Sequence, residues 1–296
     1  MKHQSAFVRT HFATFAFASF FSLGAILAMS SIANANTGTN PVGQTAVLNS
    51  SYNNNTYEGY VNYGTATVTG GSFDSNGHDG FDNYGDSGTA TVTGGSFESN
   101  GLNGFVNYGQ EPTTISNGNF SGNGSAGVEN YGAGTVTISG GTFYSNGVGV
   151  LCENPFSYVT ISGGIFTNNG VNLEVQEGNV SITGGDFEGV NPNYSGYDIS
   201  NGGDLDIYGT GFSGTGVPIS GQGDLQDQYG TFTWDLSDGA SETLSYFNDG
   251  TIDLIQGAPA AAPEASSLAV FAGLVLGFAA LIVLSARKRA LVALVD

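Results

Sequence analysis

Thr135-Val136-Thr137-Ile138-Ser139-Gly140-Gly141-Thr142-Phe143 decides how this chain folds, because the same phrase returns with small changes along most of its length. Thr89 to Phe97, Tyr158 to Phe166 and Asn179 to Phe187 are close copies. Aligned on the aromatic residue that ends each unit, the series reads Tyr52, Phe73, Phe97, Phe120, Phe143, Phe166, Phe187, Phe212 and Phe232. The spacings are 21, 24, 23, 23, 23, 21, 25 and 20 residues. A near-constant period in the twenties is the mark of a solenoid.

Within the unit the side chains alternate. Five positions before the anchor stand Val47, Val68, Val92, Ile115, Ile138, Ile161, Ile182 and Ile207. Seven before it are mostly Ala, Val or Leu, from Ala66 and Ala90 to Leu205 and Leu225, and the residue between these two columns is usually Thr or Ser. Period-two alternation of β-branched residues describes a short strand with one face to a core. The Gly-Gly pairs that follow, such as Gly70-Gly71 and Gly140-Gly141, let the chain bend sharply or take positive φ. Eight residues after each anchor a second apolar column, Tyr60, Phe81, Phe105, Val128 and Leu151, opens another strand beyond an Asn-Gly turn. Asn62, Asn83, Asn107 and Asn130 come two residues later, each followed by Tyr and Gly. These asparagines have two readings: an amide ladder running from coil to coil, or local caps on turns.

A unit of about 23 residues with two or three strands cannot bury its own apolar face, so it stacks on its neighbours. Each strand then pairs with its equivalent about 4.8 Å away, and nine turns make a rod on the order of 40 Å long. No helical period appears between residues 40 and 255, and the Leu columns and helical segment of leucine-rich repeats are missing. Two repeats per blade would give a propeller as the alternative. The predicted fold is all-β, a parallel solenoid of about nine turns. Its parts are a signal peptide (1–35), a linker (36–44), repeats (45–232) and an irregular cap (233–255). An Ala/Pro linker with a sorting motif (256–264), a transmembrane segment (265–286) and a basic tail (287–296) complete the chain.

Charge placement separates the ends from the middle. Of 296 residues with formal net charge -20, all five basic ones are terminal: Lys2, Arg9, Arg287, Lys288 and Arg289. From Asn36 to Pro263 there are 23 acidic residues and no Lys or Arg, which opposes binding to nucleic acid or an anionic membrane. Lys2 and Arg9 precede an apolar run from Phe12 to Met29 that ends in Ala33-Asn34-Ala35. That is the order of a secretory signal peptide cut after Ala35. Near the other end, Leu268 to Leu284 carries no charge, and the Arg287-Lys288-Arg289 cluster places the tail in the cytoplasm and the repeats outside.

Two resemblances follow from these residues. Pro263-Glu264-Ala265-Ser266-Ser267, the apolar segment with Gly273 and Gly277, and Arg287-Lys288-Arg289 together resemble a PEP-CTERM sorting segment. Ala265 stands where that motif usually has a second proline. The resemblance implies a membrane-embedded sorting protease of the exosortase type as a partner, recognition at Pro263 and Glu264, and a Gram-negative host that makes extracellular polysaccharide. The repeats, over roughly residues 45 to 232, resemble the right-handed parallel β-helix of pectin-lyase-like proteins, which implies a carbohydrate-facing role.

Candidate chemistry is sparse. His3 and His11 fall in the signal segment, so His78 is the mature chain's single histidine, and no His-based triad or multi-His zinc site can be built. Cys152, the only cysteine, follows an apolar stretch and reads as core filler, and it allows no intrachain disulfide. A lyase of this fold takes its proton with a basic residue, and the repeats have none. A glycoside hydrolase needs only two carboxyls. The candidates are Asp79, Asp82 and Asp86 on one turn region, and Asp74 over Glu98. Acidic residues on outer turns also serve simply to keep an exported rod soluble. No cofactor is expected, and calcium binding would be weak and diffuse, since neither an EF-hand nor a calcium-binding nonapeptide occurs. The predicted function is a structural or adhesive one in contact with extracellular polysaccharide or envelope components, with a glycoside hydrolase on the same scaffold as the alternative.

Overall fold

A computed structural model describes residues 37–257, apart from 195, 219–220 and 236–240. The signal segment with Ala33 and Ala35, the motif at Pro263 and Glu264, the apolar segment after it and the Arg287, Lys288 and Arg289 cluster lie outside the described residues. The described chain is all-β, with no helix.

Its strands form two parallel faces of one solenoid. The shorter strands run Gly38–Asn40, Tyr60–Asn62, Phe81–Asn83, Phe105–Asn107, Ala126–Asn130, Val148–Cys152, Val171–Val175 and Ile199–Asn201, each paired in parallel with the next coil. The longer face stacks Thr65–Val68, Thr89–Glu98, Thr113–Ser121, Thr135–Tyr144, Tyr158–Thr167 and Asn179–Glu188 in the same way. The strands Thr89–Glu98, Thr135–Tyr144, Tyr158–Thr167 and Asn179–Glu188 are irregular at their Gly-Gly pairs, where the second glycine has positive φ, as at Gly95 (106°) and Gly141 (105°).

The anchors stack as the repeat requires. Phe73, Phe97, Phe120, Phe143, Phe166 and Phe187 form a continuous column, centroids 4.6–5.0 Å apart and ring planes within 12° of parallel. Tyr52 continues it at one end, 5.3 Å from Phe73. Val68, Val92, Ile115, Ile138, Ile161 and Ile182 form a second fully buried column. Seven regular turns thus carry the stack, not nine. Phe212 and Phe232 leave it and meet each other tilted at 6.5 Å.

Three register assignments change. Leu48 pairs with Val68 and is buried, while Val47 faces water at 67% exposure. Val150, not Leu151, pairs with Val128, because that turn is one residue shorter. The largest change is at the carboxyl-terminal end. Tyr246, Phe247 and Asn248 pair with Ile199, Ser200 and Asn201, and Thr251–Gln256 pairs with the strand beginning at Asp204. A further coil therefore lies inside the region expected as an irregular cap. The chain between is an insertion: Tyr229–Asp235 runs antiparallel on the free edge of Ser241–Asn248, and Gly223–Asp224 antiparallel on Thr251–Gln256. Trp234 and Phe232 are buried there.

Both readings of the corner asparagines hold at once. Asn40, Asn62, Asn83 and Asn107 each donate from Nδ2 to the Oδ1 of the asparagine one coil on, at 2.7–2.9 Å. The same amides donate to carbonyls of their own corners, as Asn62 does to Gly64 and Asn83 to Gly88. A second ladder runs through the Asn-Gly turns. Asn55, Asn76, Asn100, Asn123 and Asn146 each donate both backbone N–H and Nδ2 to the Oδ1 of the next asparagine, ending on Asn169. From Asn76 onward a glycine follows each asparagine and is needed for room: a Cβ on Gly101 would sit 2.1 Å from the Gly77 carbonyl oxygen. Positive φ falls instead on the residue before the asparagine, as at Ser75, Ser99 and Ser145.

Candidate functional site

The outward side of the shorter strands carries the unusual chemistry. The central residue of each strand points away from the stacked aromatics, giving the column Val61, Asp82, Val106, Glu129, Leu151 and Glu174. Asp82 (1% exposed), Val106 (0%), Glu129 (8%) and Leu151 (6%) are buried despite that direction.

Asp79 and Asp82 come together here, three residues apart on one coil. Asp79 accepts the Asn103 N–H at 2.8 Å. Asn103 in turn donates from Nδ2 to Glu129 Oε2 at 2.7 Å and accepts the Ala126 N–H at 2.8 Å. Both carboxyl oxygens of Asp82 are buried without a well-formed hydrogen bond, and the Tyr84 hydroxyl nearby only tempers the effect of burial. Burial pushes the Asp82 carboxyl up to about 8, and the charges of Asp79, Glu58 and Glu129 add to the shift. Burial also lifts Glu129 to about 8, helped by the neighbouring Glu153 carboxyl, and raises Asp79 and Glu174 above the usual carboxylate range. At neutral pH, Asp82 and Glu129 therefore hold protons, which is how a low-dielectric cluster of acids avoids like-charge repulsion without a base.

A row of tyrosines borders the acids. Tyr63, Tyr84 and Tyr108 stack at 5.6 and 4.5 Å, and Tyr131 meets Tyr108 edge-on at 5.7 Å. Burial, with Asp82 beside it, pushes the Tyr84 phenol up to about 12, and burial with the Asp79 charge raises Tyr108 as well. Face-to-face stacking covers the ring faces within the row, so its middle members present edges and hydroxyls.

The remaining expected residues stand apart. Asp86 is exposed on the corner and accepts a hydrogen bond from Gln110 Nε2 at 2.7 Å. Asp74 accepts from Ser96 Oγ and the Glu98 N–H, both at 2.9 Å, and Glu98 accepts from Asn119 Nδ2, so this pair ties coils together. His78 is exposed, its Nδ1 3.5 Å from Glu58. Cys152 is fully buried with Sγ 2.8 Å from Ser157 Oγ, and burial pushes its thiol up to about 11. Among the described residues no group of three or more His, Cys, Asp or Glu is placed to hold a metal ion. A shallow depression of about 330 Å³ lies elsewhere, at the corner lined by Pro155, Glu177, Asn179, Asp204 and Thr251.

Glu129, Asn103 and the tyrosine row were not anticipated as parts of a site. The signal was present, since Glu129 lies two periods after Asp82 and each of these tyrosines follows a ladder asparagine. No family model, no curated protein and no solved structure matches the chain.

Proposed function

We propose that the chain is an exported rod, held on the outer side of a bacterial membrane, with a structural or adhesive role in an extracellular polysaccharide matrix. The observation that carries this reading is the stacked row of Tyr63, Tyr84, Tyr108 and Tyr131 along the rod. Phenols are hydrogen-bond donors as well as acceptors, which suits the hydroxyls of an uncharged glycan. A rod whose repeats contain no Lys or Arg has nothing with which to clamp a polyanion. The terminal signals support export, and the sorting-segment resemblance supports an exosortase-type protease as processing partner.

Retention of the full chain in detergent on immobilised neutral polysaccharides tests this directly. Retention that Tyr84→Ala and Tyr108→Ala reduce, without release of sugar, is the expected result, and retention unchanged by both would refute it. The acid pair favours one second reading. Asp82 with a raised pKa and Asp79 three residues away give the outline of a glycoside hydrolase, although a sugar would have to reach carboxyls that are buried in this structure. Sugar release abolished by Asp82→Asn would decide for the enzyme. For export, Glu264→Ala should block processing of the carboxyl-terminal segment, and unchanged size and location would remove the sorting protease from the scheme.

A further inference from the structure

We propose that the outward side of the longer strands is an ice-binding surface. This does not rest on the polysaccharide reading, because it uses a different face and different residues. Thr67, Thr91, Thr114, Thr137, Thr160 and Ser181 occupy one outward column, each paired with the next in unbroken register. Two residues further along the chain stands a second set of hydroxyls, from Thr69 and Thr93 through Ser116, Ser139 and Ser162 to Thr183. Six hydroxyls in register thus run beside six more that lie at the start of the bulge, where the pairing shifts by one, as Ser139 with Gly163 and Ser162 with Gly184.

Geometry makes the array crystalline in character. The stacked phenylalanines of the same coils measure the coil repeat at 4.6–5.0 Å. One-to-one pairing from Thr67 to Ser181 carries that repeat along the first hydroxyl column. Alternate residues along a strand lie about 6.7 Å apart. These two spacings are near the repeats of hexagonal ice along its a and c axes. The residue repeat of a β-linked glycan is longer than the coil repeat, so such a chain laid along the axis drifts out of register within a few coils. The match therefore favours a water lattice over a sugar.

Side-chain order adds a second argument. Thr69, Thr93, Ser116, Ser162 and Thr183 each donate Oγ–H to a carbonyl of the preceding coil, on Leu48, Val68, Val92, Ile138 and Ile161, at 3.2–3.4 Å. All five lean the same way, which fixes one rotamer and leaves their oxygens as acceptors. Threonine is also stiff at χ1 and offers a methyl beside each hydroxyl. Little side-chain entropy remains to be lost when such a face meets a solid. Charge is the third argument. A chain with 23 acids in its middle region places none on these twelve positions, and Asp206 enters the first column only at the next coil. A charge would hold its own hydration shell and break the lattice.

Freezing tests the assignment. The full chain in non-ionic detergent is frozen slowly onto a cold surface with an inert tracer protein, and the protein content of ice and liquid is compared. Enrichment in ice over the tracer is expected, together with slowed recrystallisation of fine-grained ice. The double variant Thr114→Tyr/Thr137→Tyr raises two rings from the centre of the face and should lose both effects while keeping its far-UV spectrum and melting temperature. If that variant fails to fold, Thr114→Val/Thr137→Val keeps shape and removes hydroxyls, and loss of enrichment there supports the assignment. Exclusion of the wild-type chain from ice overturns it, as does undiminished enrichment of whichever folded double variant is used. Retention on crystalline cellulose or chitin without enrichment in ice overturns it in favour of a glycan.

Discussion

Asn123→Ala isolates what the inner ladder contributes. Asn123 is 2% exposed and makes four side-chain hydrogen bonds. Its Oδ1 accepts the Asn100 N–H (3.1 Å) and Asn100 Nδ2 (3.0 Å), and its Nδ2 donates to the Phe97 carbonyl (2.9 Å) and to Asn146 Oδ1 (2.9 Å). Two of the four partners keep another bond after truncation. Asn100 Nδ2 still reaches the Phe73 carbonyl, and Asn146 Oδ1 still accepts the N–H of residue 123. The Asn100 N–H and the Phe97 carbonyl lose their side-chain partner in a site water does not reach. At about 1–3 kcal/mol for each buried group left unsatisfied, the loss is about 2–6 kcal/mol. Urea unfolding of the full chain in detergent, followed by far-UV circular dichroism, reads this as a lowered midpoint at unchanged m. Ser139→Ala, on the exposed face, is the comparison and should stay within about 0.5 kcal/mol. Asn123→Asp adds a second test, because it turns an acceptor toward two acceptors and should cost more at pH 8 than at pH 4. Equal midpoints for Asn123→Ala and Ser139→Ala would show that the ladder is geometry without energy.

The other predictions concern the core, the acids and the thiol. Phe120 lies fully buried between Phe97 (4.7 Å) and Phe143 (5.0 Å), so Phe120→Ala should cost about 3–5 kcal/mol in the same urea assay, and a loss near that of a surface change would contradict the stack. Asp82 and Glu129 rise from 3.8 and 4.5 to about 8 on folding, so the folded state binds protons that the unfolded chain releases. Stability should therefore fall as pH rises from about 4 to about 8, and Asp82→Asn should flatten that fall; a melting temperature that climbs over this range would overturn the assignment. Cys152, buried with its thiol held at about 11, should resist a thiol reagent in the native chain and react at once in urea, so fast native labelling would place it at the surface.

The repeat was readable because β-solenoids write their core at fixed intervals. Phe73 through Phe187, the Val and Ile column and the ladder asparagines all fall where their spacing puts them. Errors arose where a count crossed a corner. A solenoid corner absorbs an added or deleted residue without disturbing the strands on either side, so positions counted from an anchor through a turn slip by one. That is why Val47 was expected where Leu48 lies, and Leu151 where Val150 lies. The final coil was missed for another reason. Tyr246-Phe247-Asn248-Asp249-Gly250-Thr251-Ile252-Asp253-Leu254 matches Tyr60-Val61-Asn62-Tyr63-Gly64-Thr65-Ala66-Thr67-Val68 in every core position, yet no Gly-Gly-x-Phe follows it. Phe232, which falls one period after Phe212, belongs to the insertion instead. The site was legible only in part. Asp79 and Asp82 stood out as neighbours in sequence, whereas Glu129 and Asn103 join them through coil stacking, which places residues 24 to 50 positions apart side by side.

The insertion explains how so regular a rod can end. Every coil offers its neighbour a row of free backbone groups, a Phe face and unsatisfied asparagine amides, so an uncovered last coil would be a template for another molecule. The repeat itself cannot stop this growth, since a further copy only moves the edge. Antiparallel strands do stop it. Tyr229–Asp235 occupies the outer edge of Ser241–Asn248, and Gly223–Asp224 that of Thr251–Gln256. Their direction is wrong for any incoming parallel coil. Trp234 and Tyr246, both fully buried, supply the aromatic packing that Phe232 and Phe212 no longer provide as a column. The step of 47 positions from Asn201 to Asn248, whose side chains still bond at 2.9 Å, is about two periods of the repeat. One period's length of chain is thus diverted from stacking to closing the end, and the decay of the pattern after Phe187 is the sequence of that closure.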